Sequence, residues 1–283
     1  MTVQSVSATT GLRWRVGAYL AVARMAFRAK LIYRAGLMIS VAVLLIHVVA
    51  LRFVWTWVYA DRPAVTGNGG VGSVPLSTQL GYVSLSMIQF WLIDQWSTYS
   101  MRQRLREGKI GADLARPIGV LQQAAMARAG TIVAGLPFAV IAVPFALLLG
   151  GAARPAGAQA VAGYLVSVIL AVVIAIELEL LLDLLAFWML EIGGIWLSYS
   201  LVSRFLSGSL VPLWFMPDWL RTVAAALPFQ ATTYAPVAIF LGKINGPELV
   251  RSVIISAIWA VLLWLLLRLV WWRAVRRVVV QGG

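Results

Sequence analysis

Three carboxylates, Glu177, Glu179 and Asp183, lie within one long apolar run, and a guanidinium, Arg204, lies in the next. Ionisable groups at membrane depth cost about 3 kcal/mol each on insertion scales, so they need partners or water. If the turn between the two runs is centred near Glu191, antiparallel helices rising about 1.5 Å per residue bring Arg204 level with Glu177 and Glu179, roughly 20 Å from the turn. This predicts an ion pair between Arg204 and one of the two glutamates. Glu179 and Asp183 are four apart on one helical face, where like charges repel, so at least one must be solvated, paired or protonated. Such a group serves either as a structural salt bridge or as part of a transport path. Asp94 and Arg52, in two earlier runs, do not match in depth and stay unpaired, and the single histidine, His47, reads as a hydrogen-bonded interior side chain.

The second concentration of charge is Arg102 to Pro117, the one long polar interruption between oily segments. It is too polar to enter a bilayer and too short to be a domain. At helical spacing Ile110 and Leu114 share one side, while Lys109, Asp113 and Arg116 share another. Gly108 and Gly111 loosen its start, and Pro117 is placed to open the next helix without losing a needed N–H. The spacing predicts a short surface helix offered to a partner; the alternative is an ordinary basic loop.

The elements that position these groups follow from composition. A chain of 283 residues that is 61% hydrophobic and 12% charged, with mean hydropathy +0.89, has too little interior for its apolar surface and is a polytopic membrane protein. The net charge of +13 sits at the ends of apolar runs, where it sets orientation and does not point to nucleic acid. Without cysteine and with one histidine, disulfides, thiolate nucleophiles and Cys- or His-clustered metals are excluded. The Walker pattern is not met at Lys109 or Lys243. Polar segments are far shorter than the roughly 50 residues a folded domain needs, so any ATP-burning motor, with its ATP and Mg, must be another chain, and this one is expected to bind no cofactor.

In chain order, residues 1–11 are small and polar, and Arg13 to Arg34 carries a stripe of Val16, Leu20, Ala23, Phe27 and Leu31 with Arg24 and Arg28 to one side. That pattern predicts an amphipathic helix along the cytoplasmic interface. The first apolar run, beginning near Leu37, is long enough to span and has no cleavage site behind it, so no signal peptide is expected. Six spans are expected, near 36–59, 79–100, 118–149, 159–188, 195–210 and 250–270, with a flexible loop from Asp61 to Thr78. The pieces Trp219 to Leu227 and Phe229 to Gly242 are too short to cross and read as re-entrant or interfacial external helices. Six spans with both termini inside place most Lys and Arg on the cytoplasmic edges, as orientation by positive charge requires. The expected organisation is a cytoplasmic N-terminus with its interfacial helix (1–35), a six-span transmembrane domain (36–272) and a basic cytoplasmic tail (273–283).

Arg106-Glu107-Gly108-Lys109-Ile110-Gly111-Ala112-Asp113-Leu114-Ala115-Arg116-Pro117 resembles the loop after the second span in bacterial ABC-2 type permeases. Ser207 to Leu220, with Pro212, Pro217 and Trp219, followed by Leu227-Pro228-Phe229-Gln230, is similar to that family's second signature, and Phe27 to Arg34 is similar as well. One departure is Gly111-Ala112 before Asp113, where the family more often has Leu. The resemblance implies a non-catalytic permease subunit of an ABC exporter in the bacterial inner membrane. Two such subunits, identical or sister chains, would sit over two ABC ATPase subunits. It also implies that residues 106–117 form an ATPase-coupling helix and that the segment after Pro212, including Pro228, forms an external gate. A channel or secondary transporter working without ATP is the rival class; no inverted repeat or paired broken span favours it.

Overall fold

A computed structural model describes residues 8–61, 63–67, 72–94, 100–151, 154–189 and 193–281. The chain is helical almost throughout. Helix α1 spans Ala8–Ile32 and α2 Arg34–Val58; a hairpin of β1 (Ala64–Gly67) and β2 (Gly72–Pro75) leads into α3 (Leu76–Ile93). Two short helices follow, α4 (Met101–Arg106) and α5 (Ile110–Leu114), then α6 (Val120–Gly150) and α7 (Ala158–Leu184), which ends in a 3-10 turn. Helix α8 covers Gly193–Leu206, α9 Asp218–Ala226, α10 Tyr234–Phe240 and α11 Gly246–Gln281.

Among the described residues, four helices are long and apolar enough to cross a membrane: Arg34–Val58, Val120–Gly150, Ala158–Phe187 and Gly246–Arg277. The other two expected spans come out shorter. Helix α3 has 18 residues and stops at Asp94, and residues 95–99, the rest of that expected span, lie outside the described residues. Helix α8 has only 14 residues. The all-α polytopic reading therefore stands, with one correction: the expected loop from Asp61 to Thr78 holds an antiparallel hairpin, Val65 opposite Val74, closed onto α2 by the Tyr59 hydroxyl donating to the Val74 carbonyl at 3.1 Å.

The two ends of the chain add detail, and one expectation, that helix begins only at Arg13, is corrected. Helix α1 begins at Ala8, so the polar N-terminus is helical from there; residues 1–7 lie outside the described part. Along its stripe Val16 and Leu20 are exposed and Ala23, Phe27 and Leu31 half-buried, while Ala26 is buried, because α1 lies closely along α6. A Cβ on Gly130 of α6 would collide with the Ala23 carbonyl, so α1 approaches α6 by its small residues and turns its bulkier ones outward. Finally, α11 continues without a break through Arg273, Arg276 and Arg277 to Gln281, so the basic tail is the end of a helix.

Two apolar cores organise the bundle. At the hairpin end, Val48 and Trp55 of α2, Tyr82 of α3 and Ala142 of α6 pack with Leu213, Trp214 and Val237. Here Trp214 meets the Tyr82 ring edge-on at 4.7 Å, and Trp55 stacks on Phe215 at 5.2 Å; such aromatic pairs add to the gain from area alone. The Tyr82 hydroxyl donates to the Gly208 carbonyl at 2.8 Å, and Gly208, at φ +77°, turns the chain back after α8. At the opposite end, Met101, Ile110, Leu121, Leu180, Leu184 and Leu267 form the second core.

Gly130→Ala is expected to push α1 off α6 and lower stability by about 1–3 kcal/mol, as overpacking does. Gly17→Ala, in open space on α1, is expected to be neutral or to stabilise by up to about 1 kcal/mol. Thermal unfolding of the two purified variants in detergent separates them.

Candidate functional site

Between the two cores lies a polar waist, built where α3 ends. Arg128 of α6, nearly fully buried, donates from Nη2 to the carbonyl of Ile93, the last residue of α3, at 3.2 Å. The same nitrogen forms an ion pair with Glu179 of α7. Next to Ile93, the Asp94 carboxylate meets Arg204 of α8, Nη2 to Oδ2 at 3.5 Å, and the Arg204 guanidinium lies 4.9 Å above the Phe90 ring. Four elements thus meet through two ion pairs of alternating sign. A guanidinium at the C-terminus of α3 also opposes the negative end of that helix's dipole.

The predicted pairing of Arg204 with Glu177 or Glu179 is corrected. Arg204 takes Asp94, Glu179 takes Arg128, and Glu177 is buried with its Oε2 meeting no hydrogen-bond partner among the described residues. Glu191, used as the centre of the turn, lies outside the described residues. Asp183 accepts a hydrogen bond from the Met101 backbone N–H at 2.9 Å and another from the Ser100 hydroxyl at 3.4 Å. The repulsion between Glu179 and Asp183 is therefore met by a separate set of donors for each. Arg52, which sequence reasoning left alone, donates to the Leu149 carbonyl at 2.6 Å and covers the last turn of α6.

Two cavities flank the waist. One, of about 430 Å³, is bounded by Leu37, Ser40 and His47 of α2, by Met87 and Trp91 of α3, and by Arg204. His47 is exposed to it, bonded through Nδ1 to the Val43 carbonyl at 2.8 Å, which corrects the expected interior histidine. The other, of about 30 Å³, has Ile93, Leu178, Glu179, Tyr199, Ser203 and Thr233 in its walls. Phe90 and Asp94 line both, so these two side chains are the wall between a large chamber and a small one, with Arg204 on the side of the large one. Apolar walls with a few charged groups at one end suit an amphiphilic molecule. Among the described residues no group of three or more His, Asp or Glu could hold a metal.

The stretch predicted as one short helix is two, α4 and α5, separated at Gly108, whose φ is +69°. Its two expected faces are each split. Asp113 is fully buried beside buried Ile110, whereas Leu114 is exposed. The cause is Arg104, whose Nε and Nη2 grip both Asp113 oxygens, while Arg116 adds a longer contact at 3.3 Å. Glu107 accepts from Lys109 at 2.6 Å and from Gln103 at 2.8 Å, and these hydrogen bonds, Lys109's first, hold its carboxyl below the usual range. Pro117 does not open α6: the helix starts at Val120 with Gly119 as its N-cap. Arg106 and Gly108 lie on the exposed side of this lever.

At the hairpin end, Pro212 and Pro217 precede the 3-10 turn Leu213–Phe215 and α9 respectively. Trp219 is exposed and Pro228 buried. The segment from Pro228 to Phe240 folds inward against α7 until the Thr232 carbonyl accepts from Gln89 of α3 at 2.8 Å.

Arg128 is the residue that sequence reasoning missed; a lone guanidinium in a 31-residue apolar helix was its signal. Arg128→Met is expected to cost about 3–5 kcal/mol, because it strands Glu179 without its counter-charge. Arg128→Met combined with Glu179→Leu is expected to recover much of that loss. A double-mutant cycle on thermal unfolding checks it, and simple additivity would refute the pairing.

Comparison with curated proteins gives no match. The family model described as ABC-2 family transporter protein matches residues 45–282, which takes in the hairpin-end core, the waist, the lever and α11. The chain belongs to the ABC-2 family of transporter proteins, as a membrane permease component.

Proposed function

We propose that this chain is the transmembrane subunit of an ATP-driven exporter, working with a separate ABC ATPase and a second permease, identical or paralogous, in a bacterial inner membrane. Helices α3 and α8 complete six spans. Both termini, α1 and the lever then face the cytoplasm, since Arg24, Arg28, Arg104, Arg106, Lys109, Arg116, Arg273, Arg276 and Arg277 gather on that side.

The observation that carries this reading is the root of the lever. Asp183 binds the first backbone N–H of α4 from α7, one helical turn from Glu179. A push on α4 and α5 by a closing ATPase is therefore delivered to the helix that holds the polar waist. The buried Arg104–Asp113 fork makes the lever stiff enough to deliver it. The coupling residues are Arg106, Glu107, Gly108, Lys109, Ile110, Asp113, Leu114, Arg116 and Pro117. The cargo pathway starts in the chamber beside Asp94 and Arg204, and the segment holding Pro212, Pro217, Trp219 and Pro228 gates its outer end. Nucleotide binding biases two arrangements of these elements; ATP and Mg belong to the partner chain.

Asp113→Asn is expected to loosen the fork and lower ATP-driven transport by about tenfold, in line with the roughly 1–3 kcal/mol lost when a charged hydrogen-bond partner is weakened. Permease abundance should stay near wild type. Transport into inverted vesicles from cells expressing both chains measures it. Unchanged transport, or export by the permease alone in proteoliposomes, would overturn the proposal.

A further inference from the structure

A further cavity, also of about 430 Å³ but mostly polar in its lining, opens at the lever end, away from the waist. Its walls come from three parts of the chain: Arg15 and Tyr19 of α1, Arg116 and Gly119 of the link into α6, and Trp271 of α11. The Gly119 N–H donates to the Tyr19 hydroxyl at 3.2 Å. Tyr19 accepts there, which leaves its own proton to be donated. Two guanidiniums line the cavity and no carboxylate does. The nearest acid, Asp113, already has both oxygens held by Arg104, so Arg104, Asp113 and Arg116 together keep one positive charge, carried on the side of half-exposed Arg116. Arg15 is exposed and has no ion-pair partner among the described residues.

The depth of this cavity decides what fills it. Trp271 and Trp272 end the apolar part of α11, just before Arg273, and paired aromatic and basic residues mark the headgroup level of a bilayer. We infer that the cavity is a binding site for the phosphate headgroup of an anionic phospholipid from the leaflet on the lever side. Arg15 and Arg116 grip the phosphate oxygens, as guanidinium forks do, Tyr19 donates a third hydrogen bond, and Trp271 lies beside the glycerol. The lipid ties α1 to the chain immediately after the lever, so the anionic lipid content of the membrane sets how firmly the lever's far end is held.

The test uses the full chain extracted from vesicles of phosphatidylcholine and phosphatidylglycerol at three to one, with retained lipid counted by native mass spectrometry. Phosphatidylglycerol is expected to be retained and phosphatidylcholine not. Arg15→Gln with Arg116→Gln should lower retention by about tenfold or more. Arg276→Gln with Arg277→Gln removes the same charge at the end of α11 and should change it by less than about twofold. Equal loss in both variants, equal retention of the two lipids, or displacement by inorganic phosphate at matched concentration, which would mark a free-anion site, overturns the inference. Should the glutamine pair unfold, Arg15→Lys with Arg116→Lys keeps the charges and removes the forks. Lower retention in that variant supports the site, and unchanged retention overturns it.

Discussion

The interaction on which the rest depends is the contact of Arg128 with the end of α3. An apolar helix that stops inside a bundle leaves its last carbonyls without intrahelical donors, and in a membrane no water is at hand to serve them. Arg128 supplies a donor to the Ile93 carbonyl from the neighbouring helix, and its charge is in turn answered by Glu179. Remove that guanidinium and two costs appear together: a helix end without a donor and a buried carboxylate without a cation. The short length of α3, the side chains that face the waist and the position of α8 all follow from keeping these groups satisfied.

Helix α7 connects this waist to the lever because Glu179 and Asp183 stand one turn apart on it. Glu179 binds inward to α6, and Asp183 binds the start of α4. The end of α7 is further tied to α11, where the Phe187 ring meets Trp271 at 6.0 Å and Arg277 lies 5.6 Å above Trp188. The residue that binds the start of α4, Leu184 of the second core and Glu179 of the waist all lie on this one helix. That is the physical sense in which a short polar segment can act on a site inside the bundle.

Much of this was legible in the sequence. The long apolar runs appear as α2, α6, α7 and α11, and the charged stretch appears as a compact polar element, because each is a local property of composition. The pairings were less legible, for geometric reasons. Placing Arg204 opposite Glu177 and Glu179 assumed a tight turn near Glu191, yet α7 gives way to a 3-10 turn at Leu185 and α8 starts only at Gly193. Counted from those helix ends, Arg204 comes level with Val173, about one and a half turns beyond Glu179, and Asp94 is what it finds. The burial of Asp113 in place of Leu114 has a similar origin. Helical spacing sorts side chains by polarity, but Arg104, nine residues earlier, turns Asp113 into the better residue to bury.

Packing and charge divide the labour between cores and waist. The hairpin-end core interlocks Tyr82 edge to face with Trp214 and Trp214 at a tilt with Tyr234, and close-packed interiors of this kind have few neighbouring arrangements to move into. Ion pairs are less exacting, because their energy falls off slowly with distance and one carboxylate can exchange cations. Asp94 sits where such an exchange is available: Arg204 is its partner, and Arg128 is close enough to act on its charge. It also forms the wall shared by the two chambers. The ends are held by close packing and the waist by ion pairs, so a change of partner at Asp94 would alter the wall between the chambers without unpacking either core.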